Sequence, residues 1–191
     1  MKSILILNGS LGGKDGNSQK IIKPFLKKLD QEKIIYEELF LNEEKSFVDL
    51  EKKCISADGF LFISGTYWDS WGSPMQKFLE ISTQFEGTQA IFSKPASVII
   101  SMHSVGGKSV LSRLQGVLNT QGYLIPPMSG MVYSLQTHLC KDIENSFVDD
   151  FWSLEDVEIV AHNLIETINK TGQYKSWPID KKDPKRIWFN D

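Results

Sequence analysis

Ser3-Ile4-Leu5-Ile6-Leu7-Asn8-Gly9-Ser10-Leu11-Gly12-Gly13-Lys14-Asp15-Gly16-Asn17-Ser18 opens as a short apolar run and closes as a turn with four glycines and several short polar side chains. The run reads as a buried strand, and the apolar pattern that follows the turn reads as a helix. A glycine-rich turn between a strand and a helix lets backbone N–H groups converge on an anion at the positive helix end. The hydroxyl and amide groups of Ser10, Asn17 and Ser18 can add hydrogen bonds, so a phosphate is the natural ligand. Competing motifs fail on spacing: no GxGxxG is present, Met102 stands where a P-loop before Gly107-Lys108-Ser109 needs its first glycine, and Asn8 replaces the first glycine of a GxSxG elbow around Ser10.

Outward from this unit, short apolar runs alternate with longer amphipathic segments, the mark of βα units building a mainly parallel sheet covered on both faces. Ser3 to Asn8, Ile34 to Phe40, Gly59 to Ser64 and Ala96 to Ser101 read as strands, with a weaker fifth near Met128 to Ser134. Ser46 with Asp49 and Ser153 with Asp156 resemble capping boxes, and Ser73-Pro74 suits an N-cap followed by the first helical position. Pro24 interrupts the pattern Ile21, Ile22, Phe25, Leu26, Leu29, so the first helix should begin late or kink. Leu111, Leu114, Val117 and Leu118 form a helical stripe stopping near Gly122; Val157, Val160, Ala161, Leu164, Ile165 and Ile168 form another that Gly172 is placed to end.

At 191 residues, 41% hydrophobic and 24% charged, the chain has the length and composition of one globular domain, expected over residues 1–172. Residues 173–191 lose periodicity but keep Tyr174, Trp177, Trp188 and Phe189, an aromatic tail expected to pack on the domain or on a partner subunit. A net charge of −3 speaks against nucleic acid as a partner, and the cluster Lys181, Lys182, Lys185, Arg186 is balanced by Asp180 and Asp183. Cys54 and Cys140 have no ligand spacing, so neither zinc nor an iron–sulfur cluster is indicated, and a reducing cytoplasm is the expected setting. The apolar stretch Ile4 to Leu7 is too short for a signal segment or a membrane span.

In open α/β sheets ligands bind beyond the carboxyl ends of the strands, which makes the loops after strands one, three and four the informative ones. The third-strand loop, Gly65-Thr66-Tyr67-Trp68-Asp69-Ser70-Trp71-Gly72-Ser73-Pro74, clusters three aromatics. A planar conjugated ring could stack on Tyr67 or Trp68, with Trp71 the most structural of the three. The fourth-strand loop, Ser101-Met102-His103-Ser104-Val105-Gly106-Gly107, offers amides at a helix start to the carbonyl oxygens of such a ring. His103 reads as a positioning group, and His138 and His162 lack a partner at metal-ligand spacing.

Gly9-Ser10 with Asn17-Ser18, Tyr67 with Gly72-Ser73-Pro74, Lys77, Phe78 and Leu79, and Lys94-Pro95 followed by a strand and Gly106-Gly107 together resemble the NADPH-dependent FMN reductase family. The resemblance covers roughly Ser3 to Ser134. It implies a flavodoxin-like three-layer sandwich, a five-stranded parallel sheet of order 2-1-3-4-5. It implies FMN as cofactor, with its phosphate at Ser10, Asn17 and Ser18 and its ring flanked by Tyr67, Trp68 and Gly106. Thr66, Ser101, His103 and Gly107 complete the expected cofactor contacts. The implied activity is transfer from NADPH or NADH to a small electron acceptor such as a quinone or flavin, in a homodimer or homotetramer. The chemistry belongs to the cofactor, so no side-chain nucleophile is required. An electron carrier of the flavodoxin kind, without nicotinamide activity, is the alternative, although such carriers are usually strongly acidic.

Overall fold

A computed structural model describes residues 1–44, 46–140, 152–170 and 172–178. Strands β1 (Ser3–Asn8), β2 (Ile35–Phe40), β3 (Gly59–Gly65), β4 (Ala96–Met102) and β5 (Gly130–Ser134) form one five-stranded sheet in the order β2-β1-β3-β4-β5. Every neighbouring pair is parallel. The fifth strand starts later than its apolar run suggests because Met128 sits at φ +50°, a left-handed turn conformation that a strand cannot include, and it stays exposed.

Alternation along the strands divides the core between the two faces of the sheet. Leu5, Leu7, Phe60, Phe62, Val98, Ile100 and Val132 pack against helices α3 (Phe47–Ser56), α4 (Ser73–Ser82) and α5 (Gly107–Gln121). Ile4, Ile6, Leu61, Ile63, Ile99 and Met131 pack against α1 (Asn17–Ile21), α2 (Lys23–Gln31) and α7 (Val157–Ile168). Each such side chain, removed from water, contributes on the order of 1.5–3 kcal/mol of hydrophobic stabilisation. Tyr123 stands edge-on to Phe60 and Phe62, with centroids 5.1 and 5.3 Å away.

Pro24 has the expected consequence: the first helical segment breaks at Ile22, and α2 restarts with the proline in its first turn, where its missing N–H matters least. Ile21, Ile22, Phe25 and Leu29 are nonetheless all buried on one side. Ser46 caps α3 by accepting from the Asp49 N–H at 3.1 Å. The cap of α4 is Gly72 rather than Ser73, which places Ser73 and Pro74 inside the first turn. At α7 the Ser153 N–H donates to the Asp156 carboxylate at 2.6 Å, and Asp156 itself becomes the N-cap, so this helix starts later than the Ser153 signal indicates. It also ends earlier, at Ile168 with Asn169 as its C-cap, whereas α5 ends on Gly122 at φ +107° as its sequence requires.

Lys94 has a structural task. Its ammonium donates to the carbonyls of Cys54 and Ile55 at 2.7 and 2.8 Å, meeting the negative end of α3. Burial pushes the neighbouring Cys54 thiol up to about 12, so it remains protonated and inert. Helix α6 (Leu135–Cys140) follows β5 directly and has no apolar stripe to announce it. In the tail, Trp177 donates to Glu86 at 2.9 Å, and Tyr174 and Trp177 stay more than half exposed; Trp188, Phe189 and the basic cluster lie outside the described residues.

Candidate functional site

Asn8, the last residue of β1, is fully buried and organises the first loop. Its side-chain oxygen accepts from the Ser10 N–H (3.1 Å) and the Ser10 hydroxyl (2.9 Å). Its amide nitrogen donates to Ser18 Oγ (3.1 Å) and Glu38 Oε1 (2.9 Å). The two serine oxygens lie 2.9 Å apart, and both residues are buried. Their hydroxyls therefore hold the loop in shape from within. Helix α1 begins at Asn17 without a side-chain cap, which leaves its first N–H groups to solvent or a ligand.

The third loop is held in an unfavourable backbone shape. Tyr67 and Ser70 exchange backbone hydrogen bonds of 2.8 and 3.0 Å, closing a tight turn with Trp68 at φ 48° and Asp69 at φ 56°. Left-handed geometry at residues other than glycine costs roughly 1–3 kcal/mol each and persists only where the surroundings impose it. Here Arg113 of α5 donates to the Asp69 carbonyl and lies over the Trp71 ring, while the Trp71 indole donates to Gln76 at 2.9 Å. Trp71 is structural, as expected. The Tyr67 hydroxyl accepts from the Leu11 N–H at 3.0 Å and so ties the first loop to the third.

Gly106 (φ +87°) and Gly107 let α5 begin against both neighbouring loops. A Cβ on Gly106 would lie 2.1 Å from Asp69 Oδ1, and one on Gly107 would lie 2.4 Å from Val132 Cγ1. The Thr66 N–H donates to the Ser101 carbonyl at 2.7 Å, continuing the β3–β4 ladder into the loops.

These loops border a cleft of about 410 Å³ beyond the carboxyl ends of the central strands, within the roughly 300–1,000 Å³ usual for small-molecule sites. Asn17, Thr66, Tyr67, Ser101 and His103 line it. Ser10, Ser18, Gly106, Gly107 and Trp68 are not among its lining residues: the two serines are buried and bonded to Asn8, and Trp68 stands fully exposed to solvent. The structure adds residues that the loop-based reading passed over, above all Lys20, Tyr133 and His138. Tyr133 is the last residue but one of β5, a strand end open to the same rule as the others, whereas His138 arrives on α6, which no sequence pattern marks.

Among the described lining residues none is a carboxylate, while Lys20 and two histidines are present, a balance that suits an anionic ligand. Thr66 Oγ1 is buried in this wall with no hydrogen-bond partner among the described residues. A buried hydroxyl left unpaired is destabilising by about 1–3 kcal/mol, so this atom fits a polar group supplied from outside the chain. No group of three or more His, Cys, Asp or Glu side chains is arranged for a metal ion among the described residues, and no described helix is long and apolar enough to cross a membrane.

The parallel sheet in this strand order, with helices on both faces and a cleft over its carboxyl edge, defines a flavodoxin-like α/β sandwich. The family model described as NADPH-dependent FMN reductase matches residues 2–136, and the chain belongs to that family. It is accordingly a flavin-linked oxidoreductase with FMN as cofactor and NAD(P)H as co-substrate. No curated protein matches the chain. Among solved structures, RosB with bound 8-demethyl-8-formylriboflavin-5'-phosphate is similar at TM-score 0.70 and 14% identity, covering 88% of this chain and 79% of that one. An NADH:FMN oxidoreductase (EmoB, apo form) is similar at 0.64 and 17%, covering 87% and 90%. The NAD(P)H:(acceptor) oxidoreductase FerB from Paracoccus denitrificans is similar at 0.61 and 16%, covering 88% and 97%. At these identities the likenesses bear on the fold.

Proposed function

We propose that the cleft holds FMN and brings NAD(P)H, then a small acceptor such as a quinone or a second flavin, to the same open face in alternation. The observation that carries this reading is the unpaired Thr66 hydroxyl, set in a carboxylate-free wall over the carboxyl ends of β3 and β4. When bound there, FMN would supply the two-electron redox chemistry that links nicotinamide and acceptor. The chain's own residues bind and orient. Asn17, Lys20 and the uncapped start of α1 take the phosphate, in a loop whose shape Ser10 and Ser18 set. Tyr67 walls the ring, Thr66, Ser101 and His103 meet its polar edge, and the start of α5 at Gly106-Gly107 supports it. Trp68, fully exposed on its turn beside the cleft, takes no part in holding the ring in this chain alone.

One shared face means that donor and acceptor exclude one another, since hydride transfer needs the reacting atoms about 3–3.5 Å apart. Anaerobic mixing of the holoprotein with excess NADPH or NADH is expected to bleach the flavin within seconds, and a quinone added afterwards to restore its colour. Steady-state kinetics should be ping-pong. Bleaching by dithionite but by neither nucleotide would replace this reading with that of an electron carrier.

The same proposal extends to assembly. Trp68, Tyr174 and Trp177 leave large aromatic surface in water, at 102%, 54% and 59% relative exposure. A homodimer or homotetramer would cover it. Sedimentation at micromolar concentration should show a species above the 21.7 kDa of one chain, and a strict monomer at every concentration would refute the assembly.

A further inference from the structure

The side of the cleft away from the first loop carries two groups that the assigned roles leave unused. Tyr133 pairs in register with Ser101 across β4 and β5, so it reaches the carboxyl edge beside a residue already lining the cleft. Its hydroxyl lies 2.8 Å from His138 Nδ1, with ring centroids 6.0 Å apart. His138 is held there through the start of α6. The Ser134 hydroxyl donates to the His103 carbonyl and accepts from the Thr137 N–H, and the Gln136 N–H also donates to the His103 carbonyl. Both line the cleft, Tyr133 half-buried and His138 exposed, so the pair connects the cleft to bulk water.

We propose that Tyr133 and His138 form a proton relay serving the electron acceptor, which makes a carbonyl-bearing acceptor of the quinone class the substrate of the second half-reaction; this inference rests on the reductase reading above. Reduction of a quinone to a hydroquinone takes one hydride and one proton. The hydride comes from the reduced cofactor of the family's reaction. The proton goes to a quinone oxygen from the Tyr133 O–H, and as that bond breaks the His138 imidazolium Nδ1–H protonates the tyrosine oxygen. His138, now neutral, takes up one hydrated proton from bulk solvent, so one hydride and one solvent proton are consumed per hydroquinone formed, with both side chains restored.

The surroundings suit these roles. Burial, reinforced by the negative charge of Glu155, raises the Tyr133 pKa and keeps its hydroxyl protonated until a proton is demanded. No carboxylate lines the described cleft to compete as proton source. Imidazole is the side chain that ordinarily exchanges a proton near neutral pH. The other titratable groups around the pair are Lys20 on α1, Tyr67 and His103 on the loops, and Glu155 before α7.

The test compares two acceptors on the reduced holoprotein: benzoquinone, which needs a proton, and ferricyanide, which takes single electrons and none. In Tyr133→Phe the ratio of quinone to ferricyanide reoxidation rates is expected to fall about 100-fold, the ordinary scale of a general acid. In His138→Gln the ratio should fall similarly. Independently of turnover, NMR of the oxidised holoprotein should show the His138 ring resonances shifted in Tyr133→Phe, because the hydrogen bond at Nδ1 is lost. Unchanged ratios, or equal slowing with both acceptors, would overturn the relay, as would His138 resonances indifferent to Tyr133. If neither nucleotide bleaches the parent, the reductase reading fails by itself; dithionite then reduces the flavin and the same ratio still decides the relay.

Discussion

Replacing Asn8 with Ala is expected to destabilise the protein by about 3 kcal/mol and to weaken FMN binding with it. The buried amide serves four partners at once: the Ser10 N–H, the hydroxyls of Ser10 and Ser18, and the Glu38 carboxylate. Alanine removes all of these and leaves several buried polar groups behind, each destabilising by roughly 1–3 kcal/mol when unpaired. The two hydroxyls can still bond to each other, which keeps the total below the simple sum. Urea unfolding of parent and variant, with FMN titration under native conditions, measures both effects. A loss below about 1 kcal/mol would mean that water replaces the amide and that the loop does not depend on it.

Gly72→Ala should be nearly as damaging for a different reason. Its φ is −65°, so the backbone would accept any residue, but an added Cβ would lie 2.4 Å from the Gly9 carbonyl oxygen and 3.2 Å from the Tyr67 ring. The first contact is with backbone and cannot be relieved by a rotamer change. Helix α4 would have to retreat from the first loop, straining the Gly72 N–H bond to Ser64 and the Leu11 N–H bond to Tyr67. Overpacking of this kind costs about 1–3 kcal/mol, and the upper end is expected where two backbones meet. Thermal or urea unfolding measures that loss, and FMN titration should show weakened binding because the first and third loops part. Parent-like stability in the alanine variant would show that the loops have slack.

Much of this arrangement is legible in the sequence because local signals and long-range packing agree there. The apolar runs of β1, β3 and β4 are buried on both faces, Pro24 breaks its helix where backbone chemistry demands, and Ser46 caps α3. Legibility ends where a side chain's task is set by what the fold brings near it. Ser10 and Ser18 read as ligand-facing polar groups, yet their hydroxyls are consumed by Asn8, a residue whose own importance shows only once β1 and β2 stand side by side. Trp68 reads as a stacking ring, but its left-handed turn points it to solvent and leaves Tyr67 in the wall. Tyr133 and His138 meet across the junction of β5 and a six-residue helix too short to carry a periodic pattern.

Strand β2 bears on how copies of this chain can meet. It ends the sheet, so one row of its backbone donors and acceptors offers a template to any passing extended segment. With Ile35 and Tyr36 exposed, that edge would be an aggregation hazard but for the two acids, Glu37 and Glu38, at the middle of the six-residue strand. A two-fold antiparallel pairing centred there would set Glu37 against Glu37, or Glu38 against Glu38, of the second copy; since Glu37 is paired with Lys53 and Glu38 is held by Asn8 and Gln19, it would have to oppose like charges beside contacts already made within each copy. Continuous sheet formation through β2 is thereby discouraged.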